Sequence, residues 1–353
     1  MSDSKEVIQA RLLANINDSY DKTEGSFFHD AEIPIAIELE KFYKEQEEQW
    51  NRGYADTATD KDLEKIVGDY GITRKTATKA TSVVIITGTI GSIITKGDKV
   101  ASDSIEFVFM ENKIIDATLQ VSVNVECENE GIIGNIPIGA IKFFPVTLAG
   151  LVSVTNPTNI TNGYDAETDK DLRTRYYEYI RTPATSGNPS HYRNWAKEVI
   201  GVGNAKVFPL WDKSNGKDGA GTVKVVIIDS NKSLVDTTLI NKTYEHIEEE
   251  RPIGATVTVV GATGKAINIT AKVTIATGYN ISIIQQEFLR TLGNYLKDIT
   301  FIDTYLSYAK LGNILLNTTG VIDYTDLKIN NAIVNIGLED EEIPIIGTIQ
   351  LEV

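Results

Sequence analysis

The sequence predicts a multidomain α+β protein: helices at the amino terminus, a small all-β, sandwich-like domain after them, and mixed α/β layers toward the carboxy terminus. Three observations carry this. Apolar residues recur at helical three- and four-residue steps over the first part of the chain, and from Thr81 the period becomes strand-like. After Gly163, helical stripes alternate with short runs such as Val223–Ile228 that are apolar on both faces, the pattern of an α/β layer. With 353 residues, 42% of them apolar, the chain can fill two or three cores rather than one. The boundaries predicted are 1–80 for the helical region, 81–158 for the β domain, 159–265 for a central α/β domain and 266–353 for a carboxy-terminal α/β domain.

The first helix spans 4–17, where Val7, Ile8, Leu12, Leu13 and Ile16 hold helical spacing, and polar turn residues from Asp18 to Gly25 end it. In the longer helix that follows, Ile35, Leu39, Phe42, Gln46 and Trp50 recur at steps of four, three, four and four, close to a coiled-coil seam. Glu38, Glu40, Lys41, Glu45, Glu47 and Glu48 coat the rest. Such a stripe needs a partner, and the residues alone leave two open: the chain's own first helix, or an intermolecular bundle. Ile35, Leu39, Phe42 and Trp50 are therefore the candidate partner-binding residues.

Residues 59–63 read Thr-Asp-Lys-Asp-Leu, and so do 168–172; each copy follows a Gly-Tyr pair, Gly53-Tyr54 and Gly163-Tyr164. Asp60, Asp62, Asp169 and Asp171 invite a calcium reading, but an EF-hand loop needs a central Gly, further oxygens and a terminal Glu, and Lys61 or Lys170 has the wrong charge. Helix capping explains both copies, with Thr at the cap and Asp in the first turn against the positive end of the dipole.

Strands are predicted at Val83–Thr87, Ile105–Met110, Leu119–Cys127, Ile138–Phe144 and Leu151–Val154, with turns at Gly91–Asp98 and Gly134–Gly139. The glycines do not form a phosphate loop, since no Gly-Lys-Ser/Thr ending follows them. Downstream of Thr168, a helix carries Leu172, Tyr176, Tyr179 and Ile180 as one apolar stripe until Pro183 stops it. Asn188-Pro189 starts another, with Tyr192, Trp195, Ala196 and Val199 inward, and Gly201-Val202-Gly203 leads to strands at Ala205–Leu210 and Val223–Ile228. The remaining elements are a helix at Lys232–Arg251, strands at Ala255–Gly261 and Ile267–Ala276, helices at Ser282–Leu296 and Tyr305–Asn317, a strand after Gly320, and a closing strand at Ile345–Val353. That last run is strongly β-forming and sits beside the acidic run Glu339–Glu342, which would restrain aggregation of an open edge. It serves either as an intrachain edge strand or as a contact between copies.

Composition narrows the function. The net charge of −15 disfavours a phosphate-backbone surface, so nucleic acid is not an expected partner. Cys127 alternates with Val121, Val123 and Val125 and reads as a core residue. No basic start precedes an apolar core at the amino terminus, and no apolar run reaches the roughly 18 residues of a membrane span, so neither export nor a membrane is expected. Hydrolase and nucleotide motifs do not occur. Of His29, His191 and His246, His191 is the best placed to act as a base, beside Tyr192 and Trp195, but a hydrogen-bonded structural histidine accounts for it. No catalytic residue, cofactor or metal is therefore expected. Two alternatives remain: a glycan hydrolase built on an acidic pair, which only a release assay separates, and a surface adhesin, which would carry an export signal or anchor.

Gly163-Tyr164-Asp165, Thr168 through Arg175, Thr185-Ser186-Gly187-Asn188 with His191 through Ala196, Val202 through Val207 and Gly221 through Ile227 together resemble the baseplate J-like proteins. These are wedge components of contractile phage tails, phage-tail-like bacteriocins and prophage remnants. The resemblance extends more weakly over nearly the whole chain and looks strongest toward the shorter Gram-positive members; Phe301–Thr304 lacks a glycine expected there. It implies a structural protein that links the central hub to the peripheral baseplate and transmits the contraction trigger. It implies as partners other wedge proteins, hub or spike and sheath-initiating proteins, and further copies of the chain, as a dimer within a six-fold ring. The amino-terminal helices would join the wedge, and 266–353 would mediate self-association. Assembly would take place in the bacterial cytoplasm, with release in a virion or tail-like particle on lysis.

Overall fold

A computed structural model describes residues 3–182, 187–215 and 218–353, and it is an α+β multidomain structure. The stop at Pro183 and part of the loop after it lie outside the described residues. The chain divides into two units, 1–75 with 167–181, and 76–166 with 182–353.

The first unit is helical. α1 (Lys5–Ala14) packs against α2 (Phe27–Arg52), and α3 (Asp60–Gly68) against α4 (Asp169–Arg181). Ser26 starts α2 by accepting the His29 N–H at 3.3 Å. The small core comprises Ala55, Ala58, Leu63, Val67, Ile72, Leu172 and Tyr176. Of the stripe expected in α4, Leu172 and Tyr176 are buried, whereas Tyr179 and Ile180 are exposed at 43% and 39%. The stripe outruns the nine-residue helix α3 that receives it.

In the second unit, a five-stranded antiparallel sheet comes first, ordered β3 (Lys99–Ala101), β4 (Glu106–Phe109), β6 (Gln120–Glu130), β1 (Lys79–Gly88), β7 (Leu151–Thr155). A short ladder of β2 (Ile93–Ile94) with β5 (Lys113–Ile114) accompanies it. It departs in detail from a two-sheet sandwich. One sheet curls until it is nearly closed, around Val84, Ile86, Phe107, Phe109, Val123, Val125 and Cys127. Residues 138–144, expected as a strand, form only a bridge from Phe143 to Ala101. The side chain of Asn156 replaces the ladder there, accepting from the Ile141 N–H at 3.0 Å and donating to the carbonyls of Pro137 and Thr158 at 2.8 Å each.

The central layer packs α5 (Pro189–Glu198) and α6 (Thr237–Glu250) on the sheet β10 (Thr256–Gly261), β9 (Thr222–Asp229), β8 (Val202–Pro209). β9 pairs antiparallel with β8 and parallel with β10. α6 starts five residues later than its apolar pattern suggests. Lys232 has a left-handed φ of 59°, Ser233 N–H is held by the Asp229 carboxylate at 2.7 Å, and Asp236 caps Leu239 N–H at 2.8 Å. Leu234 and Val235 are thus lead-in, not helix.

In the last layer, β11 (Thr263–Ile275) lies between β13 (Val321–Ile329), antiparallel, and β15 (Glu342–Glu352), parallel. α7 (Ile281–Ile299) and α8 (Tyr308–Leu316) cover one face. Tyr305 and Leu306, expected in the helix, form the short strand β12 paired to β14 (Ile336–Gly337), because Ser307 caps Lys310 N–H and fixes the helix start after them. The closing run is an intrachain strand. Its acidic neighbours are engaged: Glu341 holds Lys224 at 2.6 Å and Glu342 holds Lys265 at 2.8 Å.

Candidate functional site

The predicted partner-binding residues all lie on α2. An α-helix advances about 100° per residue, so Ala36 points well away from the Ile35 direction. α1 occupies the Ala36 side, where Ile8 is fully buried and Ala36 is 1% exposed, and Gln9 donates to the His29 carbonyl at 3.0 Å. The stripe is not covered by α1. Ile35, Phe42 and Trp50 are 49%, 57% and 67% exposed, and Leu39 is half-buried. Tyr54 extends the face, its ring 5.3 Å from that of Trp50.

Unit one is fixed below this hairpin by the short repeat, whose two copies meet. Leu63 and Leu172, equivalent in the repeat, are both fully buried in one core. Thr168 caps α4 as expected, accepting from Asp171 N–H at 3.2 Å. Thr59 makes no such bond, which corrects the reading of both copies as self-capped. Asp60 instead takes a left-handed φ of 46°, and its N–H donates to the Asp169 carboxylate of the other copy at 3.0 Å. That N–H and the Arg74 guanidinium, 2.5 Å away, hold the Asp169 carboxyl below its ordinary range. Arg173 donates to the carbonyls of Ala55 and Ala58 at 2.5 and 2.7 Å. Arg175 forms a bidentate pair with Glu167 at 2.8 and 2.6 Å. Burial pushes the Glu167 carboxyl up, but Arg175 together with Lys75, whose N–H donates to it at 3.1 Å, more than offsets it and the group ends below its ordinary value. Of the aspartates that suggested a metal site, Asp169 thus faces an N–H and a cation, and Asp171 accepts from the Thr168 hydroxyl at 2.7 Å.

The second Gly-Tyr pair is a seam within unit two. A Cβ on Gly163 would lie 2.5 Å from the Gly131 carbonyl, and Asn135 bonds both the N–H and the carbonyl of Gly163. Tyr164 is 9% exposed, pairs with Thr78, and packs against Gly201, where a Cβ would stand 2.9 Å from its ring. Asp165 accepts the Ile132 N–H at 2.9 Å. Periodicity could not reveal this role; the Gly-Tyr-Asp string was its only signal.

Reactive groups are dispersed. The His191 ring stacks on Trp195 at 3.9 Å, and its Nδ1 faces the Gly187 N–H at 3.4 Å. His246 bonds Glu198 at 2.8 Å, and His29 belongs to the other unit. Cys127 is buried among β-domain apolar residues, and burial raises its thiol pKa. Among the described residues no group of three His, Cys, Asp or Glu side chains is placed to hold a metal, and no helix is long and apolar enough to cross a membrane.

Fold and site define a multidomain α+β protein with an open apolar face on α2. Its segments match known families in chain order: the baseplate J-like protein barrel domain over 83–163, the baseplate J-like central domain over 184–261 and the baseplate J-like protein C-terminal domain over 267–352. The protein YqbT of Bacillus subtilis is 34% identical across 98% of this chain and 97% of its own. The phage-like element PBSX protein XkdT of Bacillus subtilis is 32% identical over the same shares. The baseplate protein gp47 of Escherichia phage Mu is 26% identical over 51% of this chain and 49% of its own. A chain of the anti-feeding prophage baseplate aligns over 97% of both chains at 10% identity with a TM-score of 0.39. This chain belongs to the baseplate J-like protein family.

Proposed function

We propose that this protein is a structural wedge component of the baseplate of a contractile tail or tail-like particle. In this reading it links the central hub to the periphery and transmits the contraction trigger, without catalysis, cofactor or metal. Its partners are other wedge proteins, hub or spike and sheath-initiating proteins, and it works through four parts, 1–80, 81–158, 159–265 and 266–353. Assembly takes place in the bacterial cytoplasm, with release on lysis as part of the particle. Family membership supports the baseplate setting, as do the relatives named as a phage-like element protein and a baseplate protein.

One observation carries the wedge contact. α2 is 26 residues long and buries only Ala36. Helices are held in proteins mainly by packing of an amphipathic face, and here that face, Ile35, Leu39, Phe42 and Trp50, is left open. Leu39→Asp with Phe42→Asp places two charges in the seam, costing several kcal/mol of binding if a partner buries it. Co-purification with the baseplate proteins encoded beside it should fail while the variant stays folded by circular dichroism. Retained complexes would remove the stripe from the interface.

A second contact is carried by the last layer. Among the described residues β13 and β15 each pair with β11 alone, so each offers an outer edge for pairing between copies in a six-fold ring. Ile322 and Ile346 are 60% and 42% exposed on these strands, so Ile322→Asp with Ile346→Asp spares the core. Baseplates built from that variant should fail to close in electron micrographs; normal rings would rule out this contact.

A further inference from the structure

We infer that the seam joining the β domain to the central layer is a built-in opening point, and that the charge on Asp229 sets how often it opens. The device lies within the second unit and needs neither the α2 face nor a partner.

Beside the start of β1, Thr78 holds Tyr164 twice: its N–H donates to the Tyr164 carbonyl at 2.8 Å, and its hydroxyl accepts the Tyr164 N–H at 3.1 Å. The Tyr164 ring is buried in the core of the central layer, with Trp195, Val202 and Leu239. Gly201 lies against that ring, and its carbonyl accepts the Ser230 N–H at 2.8 Å. Ser230 follows Asp229 at the end of β9, whose carbonyl leaves no room for a Cβ on Gly203. The β domain, the Gly201 turn and the loop from β9 to α6 therefore meet around one carboxylate. Asp229 is 2% exposed and accepts the Ser233 N–H at 2.7 Å. Among the described residues no Lys, Arg or His nitrogen comes within 4.0 Å of its carboxylate.

The groups that face this carboxylate do little to stabilise a charge there. Asp229 and Asp236, which caps α6, both face the Tyr164 hydroxyl, and Lys297 on α7 acts only through its field. Lys232, in the loop itself, is turned to Asp298 at 3.6 Å. A buried anion without a paired cation costs free energy that hydration would recover. Ionised Asp229 regains water only if the 230–235 loop parts from Gly201 and Tyr164; protonated Asp229 makes no such demand. Its pKa, raised to about 6 chiefly by burial, fixes the sign. The closed seam binds the proton more tightly, so opening is favoured as pH rises from about 4 to about 6 and stays constant above that. Near neutral pH the β domain and the central layer give way at this seam before either unfolds, as a local opening of low free energy.

Amide hydrogen exchange of the full chain tests this, with rates corrected for the intrinsic effect of pH. At pH 7.5 the amides of Thr78, Tyr164, Ser230 and Ser233 should exchange at least tenfold faster in wild type than in Asp229→Asn. Near pH 4 the two proteins should agree. In wild type these amides should also exchange faster than those of Val225 to Ile227 and respond little to dilute urea, because a local opening exposes little surface. Equal rates in the two proteins at pH 7.5 would overturn the role of Asp229. Seam amides that accelerate with urea in step with Val225 to Ile227 would show that only global unfolding exposes them, and would overturn the opening point. If Asp229→Asn does not fold, wild type alone decides: corrected seam rates that fail to rise between pH 4 and 6.5 would overturn the inference.

Discussion

α2 and α7 are the two longest helices and end very differently. α7 buries Ile284, Phe288, Leu292, Leu296 and Ile299 against β-strand residues that include Ile267, Ile269, Leu327, Ile349 and Leu351. α2, seven residues longer, buries Ala36. Both show apolar recurrence at helical steps. What differs is the receiving surface: the chain places a sheet under α7 and only the ten-residue α1 beside α2. A helical stripe therefore states a demand for a partner, and the rest of the chain decides whether the demand is met internally.

The largest test of this contrast compares two phenylalanines. Phe288 is fully buried, so Phe288→Ala should cost about 3–5 kcal/mol through lost transfer energy and a residual cavity. Phe42 is 57% exposed, so Phe42→Ala should stay within about 0.5 kcal/mol in the isolated chain. Urea denaturation of both variants measures the difference. A large loss for Phe42→Ala would mean that the hairpin already buries its stripe in solution.

Much of the first-order architecture was legible. The helix starts at Thr168 and Asn188 carry their own caps, and the apolar run of β9 admits only a buried strand. Three of the misses share one cause, a side-chain hydrogen bond to the backbone that apolar periodicity does not report. Asn156 takes the backbone of 138–144 out of the ladder, Asp229 holds back the start of α6, and Asp169 serves Asp60 from 109 residues away. Of the candidate site, the stripe could be read, but its exposure could not, since α1 had an apolar pattern of its own. Tyr179 and Ile180 show the converse: the pattern promised burial and no neighbour supplied it.

The sparse unit should depend on its ion pairs more than the well-packed one. Arg175 and Glu167 are 14% and 8% exposed, and Arg175 also donates to the Thr73 carbonyl at 2.7 Å. Arg175→Ala leaves a mostly buried carboxylate without its cation, a change that costs about 3 kcal/mol. The Glu167 pKa is lowered in the fold, so the pair's contribution is present above the unfolded value of about 4.3 and is lost as pH falls through the folded one. Wild-type and variant melting temperatures should therefore converge in acid. A constant gap down to the lowest pH would show that Arg175 acts through packing and its carbonyl contact instead.

The smallest effect expected has the opposite sign and lies in the well-packed unit. Asp229 is 2% exposed at the end of β9, and its pKa is raised to about 6, chiefly by burial. The N–H groups of Ser233 and Asn231 and the field of Lys297 pull it back only in part. Unfolded, the same carboxyl titrates near 3.9, so the folded chain binds the proton more tightly. Stability should therefore fall as pH rises from about 4 to about 6 and carry a constant cost, of order 3 kcal/mol, above that. Asp229→Asn keeps the shape and the acceptor for the Ser233 N–H while removing the charge. Its new NH2 group needs a partner, which trims the gain. The variant should be more stable than wild type by about 2 kcal/mol at pH 7.5, and the advantage should vanish near pH 4. Denaturation curves at both pH values decide it. A variant less stable at pH 7.5 would mean that the carboxylate is favourably held as an anion, and that the well-packed unit, like the sparse one, keeps buried charge only where it is satisfied.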